Sequence, residues 1–393
     1  MKICFAVCEY DPLHFGHVHH IKQMKNAGFD AVVVIMSGNF TQRGEIAILD
    51  KFTRAKHAIL AGADLVIELP TLFATSNSEI FARGGVKIAN SLGGSALCFG
   101  TEIGSKQDFL DVAKLMINET KEFKQELKIE LSSGVPFAQA RANALTKTSN
   151  VNLQIFSNPN SILGLEYTKA ILLENSPLEI MPIERVGNGY KSKQLNGEFC
   201  SASAIRGAIS SLKLKKVKKF VPEFVYNDLP KTLPDVSKPL IYSLLQTPLS
   251  QMKNVVDCTE GLENRIKVVA KSATNFCQLI DRLETKRYTR ARLQRVTCQT
   301  MLGISKQLVE KCLKGDVYAR VLAVDKDKTD VLSYLAKACE KSGAKLITRR
   351  SDMEKLGGYL EKSLEIDNFA SDIFHLVTGQ DNSQREIKII ERK

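Results

Sequence analysis

The sequence predicts an α/β protein, in which a doubly wound parallel-sheet (Rossmann-like) domain is followed by a helix-rich C-terminal domain. Three observations predict it. Short apolar or β-branched runs recur about every thirty residues in the first half, stretches with helical spacing separate them, and composition changes near residue 222. Near-continuous apolar strands alternating with helices imply a parallel sheet covered on both faces. Right-handed crossovers then give a doubly wound fold, with ligands at the carboxyl ends of the strands.

Taken in order, Ile3 to Cys8, Ala31 to Ser37, Asp64 to Leu69, Ala96 to Phe99 and Glu179 to Ile183 read as strands. Val18 to Asn26, Lys51 to Leu60 and Ser78 to Ser91 carry helical spacing between the first four. Lys106 to Lys147 is wholly helical and reads as an insertion before the sheet resumes. Lys213 to Lys219 is lysine-rich and Pro222 to Pro239 is proline-punctuated, which places a boundary between a domain at 1–222 and one at 240–393. The second domain opens with helices from Ile241 to Leu313 and ends with strand-like runs at Ala319 to Val324 and Lys345 to Thr348.

Composition narrows the function. The 393 residues are 44% hydrophobic and 25% charged, without low-complexity tracts, which fits a folded chain of two domains rather than a disordered or fibrous one. The first apolar run is too short for a signal peptide, and no segment is apolar for long enough to span a bilayer, so the expected location is cytoplasmic with no membrane partner. Nine scattered cysteines without a CxxC pair suggest reduced core thiols, neither a disulfide framework nor a metal cage. A formal net charge of +12 points to a polyanionic partner, nucleic acid before membrane. No protein partner is evident.

The strongest local signal is Glu9-Tyr10-Asp11-Pro12-Leu13-His14-Phe15-Gly16-His17, directly after the first strand and opening the first helix. A helix N-terminus at the end of a central strand is a ready phosphate site. Gly16 permits close approach to the backbone, and His14 and His17, three apart, point the same way. Two imidazoles there can donate to oxygens that gain charge when a nucleophile attacks the α-phosphorus of ATP and pyrophosphate leaves. Alternatively the pair caps the helix or forms half a metal site with His19 and His20. A second signal favours phosphate: Ser201-Ala202-Ser203-Ala204-Ile205-Arg206 follows the last N-terminal strand, and Ser203 and Arg206 can hold a triphosphate from the opposite side.

With both motifs present, the N-terminal half resembles the HxGH nucleotidyltransferase superfamily, relatives of class I aminoacyl-tRNA synthetases. A narrower resemblance, to the bacterial tRNA(Met) cytidine acetate ligases, rests on Glu9 to His17, Gly38 to Gly44, Gly62 to Pro70, Cys98 to Glu102, Pro159 to Tyr167, Ser201 to Arg206, Glu260 to Arg265 and Thr285 to Arg290. It spans most of the chain and is weakest beyond Leu322. Asp11 and Leu13 depart from the Asn and Phe usual there. The resemblance implies a ligase that uses ATP and Mg²⁺ to activate acetate as acetyl-adenylate, then acetylates N4 of the wobble cytidine of elongator tRNA(Met). It also implies ATP contacts from Val7, Cys8, Glu9, Tyr10, Asp11, Pro12, Leu13, His14, Phe15, Gly16, His17, Val18, His19 and His20, together with Gly100, Asn160 and Arg185. By position alone, Gly100 also reads as a strand-end turn glycine, Asn160 is equally a helix cap, and an arginine placed like Arg185 is more often a surface residue.

In the second domain Lys286, Arg287, Arg290, Arg292 and Arg295 crowd a predicted helix, with Tyr288 beside them. Such a face suits an RNA backbone, and the tyrosine an unpaired base; the plain alternative is a solvated helix surface. Two other functions stay open at this point: a small-molecule adenylyltransferase of nicotinamide or coenzyme A biosynthesis, and a non-catalytic RNA-binding protein with a relict nucleotide site.

Overall fold

The computed structural model describes residues 1–135, 137–148, 153–185, 200–380 and 387–392. In the N-terminal part, β1 (Ile3–Cys8), α1 (Phe15–Asn26), β2 (Ala31–Ser37), α2 (Lys51–Leu60), β3 (Leu65–Leu69), α3 (Thr71–Ala74), α4 (Ser78–Ser91) and β4 (Ala96–Thr101) alternate as the sequence predicts. The helical insertion is α5 (Lys106–Ile117), α6 (Lys121–Ser132) and α7 (Phe137–Thr148). After it come α8 (Pro159–Leu173), β5 (Glu179–Glu184), α9 (Ala202–Ser210) and α10 (Glu223–Asp228). Helices α11 (Ser237–Gln246), α12 (Leu249–Lys253), α13 (Leu262–Ala270), α14 (Phe276–Leu283), α15 (Arg290–Leu302) and α16 (Lys306–Lys314) form the helical layer. The chain closes with β6 (Tyr318–Asp325), α17 (Asp330–Ser342), β7 (Lys345–Ile347), α18 (Arg350–Met353), α19 (Gly358–Thr378) and β8 (Lys388–Ile390).

The strand order is β5-β4-β1-β2-β3-β6-β7, with β8 also on β6. The first five strands are parallel, and the order reverses between β1 and β4, which opens a crevice at their carboxyl ends. Strand alternation separates the two faces. Phe5, Val33, Ile35, Leu97 and Phe99 pack on one side with residues of α3, α4 and α8, while Cys4, Ala6, Val34 and Met36 pack on the other with α1, α2 and α9. Side-chain caps start the key helices: Asp50 accepts from Phe52 N and Thr53 N at 2.8 and 3.0 Å, and Ser201 accepts from Ala204 N at 3.2 Å.

The sheet runs across the composition break at 222–240, because β6 lies antiparallel against β3 with Arg320 opposite Glu68. Charge fixes that pairing. Glu68 takes Lys51 Nζ at 2.6 Å and Arg320 at 3.4 Å, with all three side chains buried. Asp367 of α19 accepts from Thr71 N at 2.7 Å and from the Tyr318 hydroxyl. Unpaired, these charges would be very costly in the core, so the C-terminal strands are held in one register. All nine cysteines are free, and seven are buried. No described helix is long and apolar enough to cross a membrane.

Candidate active site

At the end of β1 the chain turns through Tyr10, whose φ is 48°, and a cis Asp11–Pro12 peptide into α1. Arg54, fully buried on α2, ties this turn to its neighbour: it donates to Glu9 O at 2.6 Å, Ser37 O at 3.1 Å and Leu49 O at 3.0 Å. The mouths of β1 and β2 are thereby fixed. His14 is the N-cap of α1 and His17 its third residue, and their rings stack with centroids 3.7 Å apart. The His14 amide donates to His17 Nδ1 at 3.3 Å. Neutral His17 therefore carries its hydrogen on Nε2, free to donate to a ligand.

Burial, aided by Arg185, pulls His14 down to about 3. Burial, then His14, Arg185 and His20, hold His17 well below the usual histidine range. Burial, Arg185 and His19 bring His20 to about 4, and its Nε2 lies 3.2 Å from Cys98 Sγ. The three imidazoles are thus neutral at physiological pH. Neutral, each has one donor and one acceptor nitrogen and adds no fixed charge.

These residues open onto a cavity of about 390 Å³ at the β1/β4 crevice, a size that suits a nucleotide. Of the residues expected from the sequence, Val7, Cys8, Glu9, Tyr10, Asp11, His14, Gly16, His17, His19, His20, Gly100, Asn160, Arg185, Ser203 and Arg206 all line it. Pro12, Leu13, Phe15 and Val18 do not. Leu13 is fully buried in the core, Pro12 is buried, Val18 packs on the core, and Phe15 faces solvent. The 7–20 segment thus contributes alternating faces rather than a continuous wall.

The distant residues converge through Glu102, which the sequence reading did not single out. Its carboxylate accepts from Asn160 Nδ2 and lies 3.5 Å from Arg185 Nε. Asn160 is not the cap of α8, since Asn158 holds that position and the helix begins at Pro159. A Cβ on Gly100 would come within 3.2 Å of Arg185 Cγ, so glycine leaves room for that arginine. Across the cavity Ser201 caps α9, and Arg206 donates to Asp11 O at 2.6 Å while facing Asp11 Oδ2 at 3.6 Å and Glu45 at 3.7 Å. Gln42 and Arg43, from the loop after β2, complete that wall and were also missed. Their position just beyond a central parallel strand was the available signal.

The basic cluster differs from its expected form. Lys286, Arg287 and Tyr288 precede α15 instead of lying on it. Arg287 pairs with Glu260 at 2.6 Å and Arg290 with Asp281 at 2.6 Å. Arg292 donates to Asp257 O at 3.0 Å, and Arg295 faces the Asp257 carboxylate at 3.7 Å. Tyr288 is 9% exposed, its ring lies under Arg292 and its hydroxyl donates to Glu260 O, so it secures the turn and offers no open face to a base. By contrast, Lys213, Lys215, Lys216, Lys218 and Lys219 are exposed and make no ion pair among the described residues. They follow α9 directly.

A doubly wound sheet with paired histidines at a helix N-terminus in its switch-point crevice defines an HxGH-type nucleotide-binding protein. Comparison agrees: the family model described as HIGH Nucleotidyl Transferase matches residues 1–388. The chain belongs to the tRNA(Met) cytidine acetate ligase family of these HIGH nucleotidyltransferases. The ligase so named from Acetivibrio thermocellus is 35% identical, covering 95% of this chain and 94% of its own; that from Thermoanaerobacter sp. is 37% identical, covering 96% and 95%. Thermotoga maritima TmcAL in its apo form superimposes with a TM-score of 0.89 at 28% identity, over 99% of this chain and 100% of that one. TmcAL from the same organism bound with alpha-thio ATP gives 0.84 at 28% identity, over 95% of each chain.

Proposed function

We propose that the protein is an ATP-dependent ligase that activates acetate as acetyl-adenylate and acetylates N4 of the wobble cytidine of elongator tRNA(Met). The observation that carries this is the stacked His14–His17 pair at the head of α1, inside a nucleotide-sized cavity. In the first half-reaction an acetate oxygen attacks the α-phosphorus and pyrophosphate departs. His14 and His17 donate to the oxygens that gain charge, each donor worth on the order of a hundredfold or more in rate. The α1 N-terminus adds partial positive charge, and Arg185 and Arg206 flank the phosphates. Magnesium would accompany the triphosphate.

We assign the chemistry to residues 1–222. RNA contact falls to 240–393 through Lys286, Arg287 and Arg290, with the exposed lysines at 213–219, after α9, as a second basic surface. That substrate places the work in the cytoplasm. The test is to incubate the protein with ATP, Mg²⁺, labelled acetate and a tRNA(Met) transcript. Label should enter the wobble cytidine, and none should enter a transcript with uridine there. Absence of RNA labelling, with adenylyl transfer to a small phosphate compound instead, would refute the reading.

A further inference from the structure

Adenylate formation needs hydrogen-bond donors, but the acetyl transfer that follows needs an acceptor. An amine that becomes an amide must lose a proton, and the groups on the cavity wall differ in their capacity to take it. His17 Nδ1 already accepts from the His14 amide, so its Nε2 carries hydrogen and can only donate. Asp11 is committed to Ile48 N at 2.8 Å and to Arg206. Glu102 is committed to Asn160 and Arg185. Glu184, at the end of β5, is open to solvent.

Glu9 is different. It lies half-buried on the cavity wall, and its Oε1 accepts from Gln42 N at 2.6 Å. Its Oε2 makes no hydrogen bond or ion pair among the described residues. The backbone is held rigidly, since Arg54 grips Glu9 O at 2.6 Å. A carboxylate here repels phosphate, so adenylation has no use for it; an amine with two hydrogens does. The groups around it sit on the Gln42–Arg43 side of the cavity, opposite Gly100 and Arg185.

We propose that Glu9 is a catalytic residue of the second half-reaction, its free oxygen taking the proton from the cytidine N4 amine. This rests on the ligase reading above. The N4 lone pair forms the C–N bond to the acetyl carbon, the bond from that carbon to the phosphoryl oxygen breaks, and AMP leaves with the electron pair. The N4 proton passes to Glu9 and then to water. Burial raises the Glu9 carboxyl above its ordinary range, and Asp11 adds to this, while the Gln42 amide, Arg206 and Arg43 oppose it. Cys8, Arg54 and Tyr167 complete its charged and titratable surroundings. The outcome is a stronger base than an exposed glutamate.

The test uses the full chain carrying Glu9→Gln, a near-isosteric change. Two rates are read on one preparation: acetate-dependent ATP–pyrophosphate exchange, and single-turnover acetyl transfer to tRNA(Met). Transfer should fall at least about a hundredfold further than exchange does. Wild-type transfer should also rise with pH through the Glu9 titration to a plateau, a step that the variant lacks. Equal losses in both rates, or transfer close to wild type, would overturn the assignment. If the wild type itself shows no acetate-dependent exchange, the ligase reading fails first and the Glu9 role with it.

Discussion

Replacing Gly44 with alanine tests how the loop beyond β2 is seated. Gly44 has φ +72°, and a Cβ there would lie 2.6 Å from Gln294 O, 2.7 Å from Gln294 C and 2.8 Å from Arg295 N. These are backbone atoms of α15, so no rotamer change relieves the overlap. The left-handed conformation costs an alanine about 1–2 kcal/mol. Restoring ordinary contact at 3.4 Å requires the loop and helix to part by about 0.8 Å. That loop carries Gln42 and Arg43 into the cavity and holds Glu9 through the Gln42 amide. A shift of about 1 Å in positioning groups costs up to roughly a hundredfold in rate. Gly44→Ala should therefore lower single-turnover acetyl transfer to tRNA(Met) by about tenfold to a hundredfold and lower the melting temperature, both measured against wild type. Unchanged activity and unchanged melting would show that the loop and α15 are not tightly packed, and would refute the reasoning.

Four further outcomes are expected. His17→Ala should abolish pyrophosphate exchange while a filter-binding assay finds tRNA affinity nearly unchanged. Lys51→Met leaves Glu68 facing Arg320 at 3.4 Å without its nearer partner, and should destabilise the protein by about 3–5 kcal/mol in urea unfolding. Arg287→Ala with Arg290→Ala should weaken tRNA binding and reduce its log–log salt slope by about 0.9 for every phosphate that the variant no longer neutralises; an unchanged slope would move the RNA site toward Lys213–Lys219. His14 titrates at about 3 when folded against 6.5 when unfolded. Between those values the unfolded chain binds the extra proton, so stability falls as pH drops through that window. His14→Gln should remove this part of the acid sensitivity in unfolding experiments at pH 4 and pH 7.

The central strands were legible because a parallel strand buried on both faces reads as a near-continuous apolar run, as Ala31–Met36 does. The HxGH turn stood out because the histidines follow such a strand and Ser201 to Arg206 gives a second signal; two histidines three apart on their own also fit a helix cap or half a metal site. Pairings between distant residues were not legible. The antiparallel seating of β6 depends on Arg320 meeting Glu68 across 252 positions, and no local pattern records it. The arginines near 290 looked free because Glu260 and Asp281 reach them only in the fold. Asn160 stood equally as a cap or a site residue until α8 was found to begin one residue before it, with Asn158 as cap. Glu102 and Arg54 act through partners far away in sequence, among them backbone carbonyls, which leave no trace in side-chain spacing.

The most direct test of the account is ATP–pyrophosphate exchange by the purified protein with Mg²⁺, comparing acetate, other short carboxylates and no carboxylate. The account predicts exchange that requires a carboxylate, proceeds with acetate and is lost in His17→Ala. Exchange that ignores acetate, or that persists at the wild-type rate without His17, would contradict it.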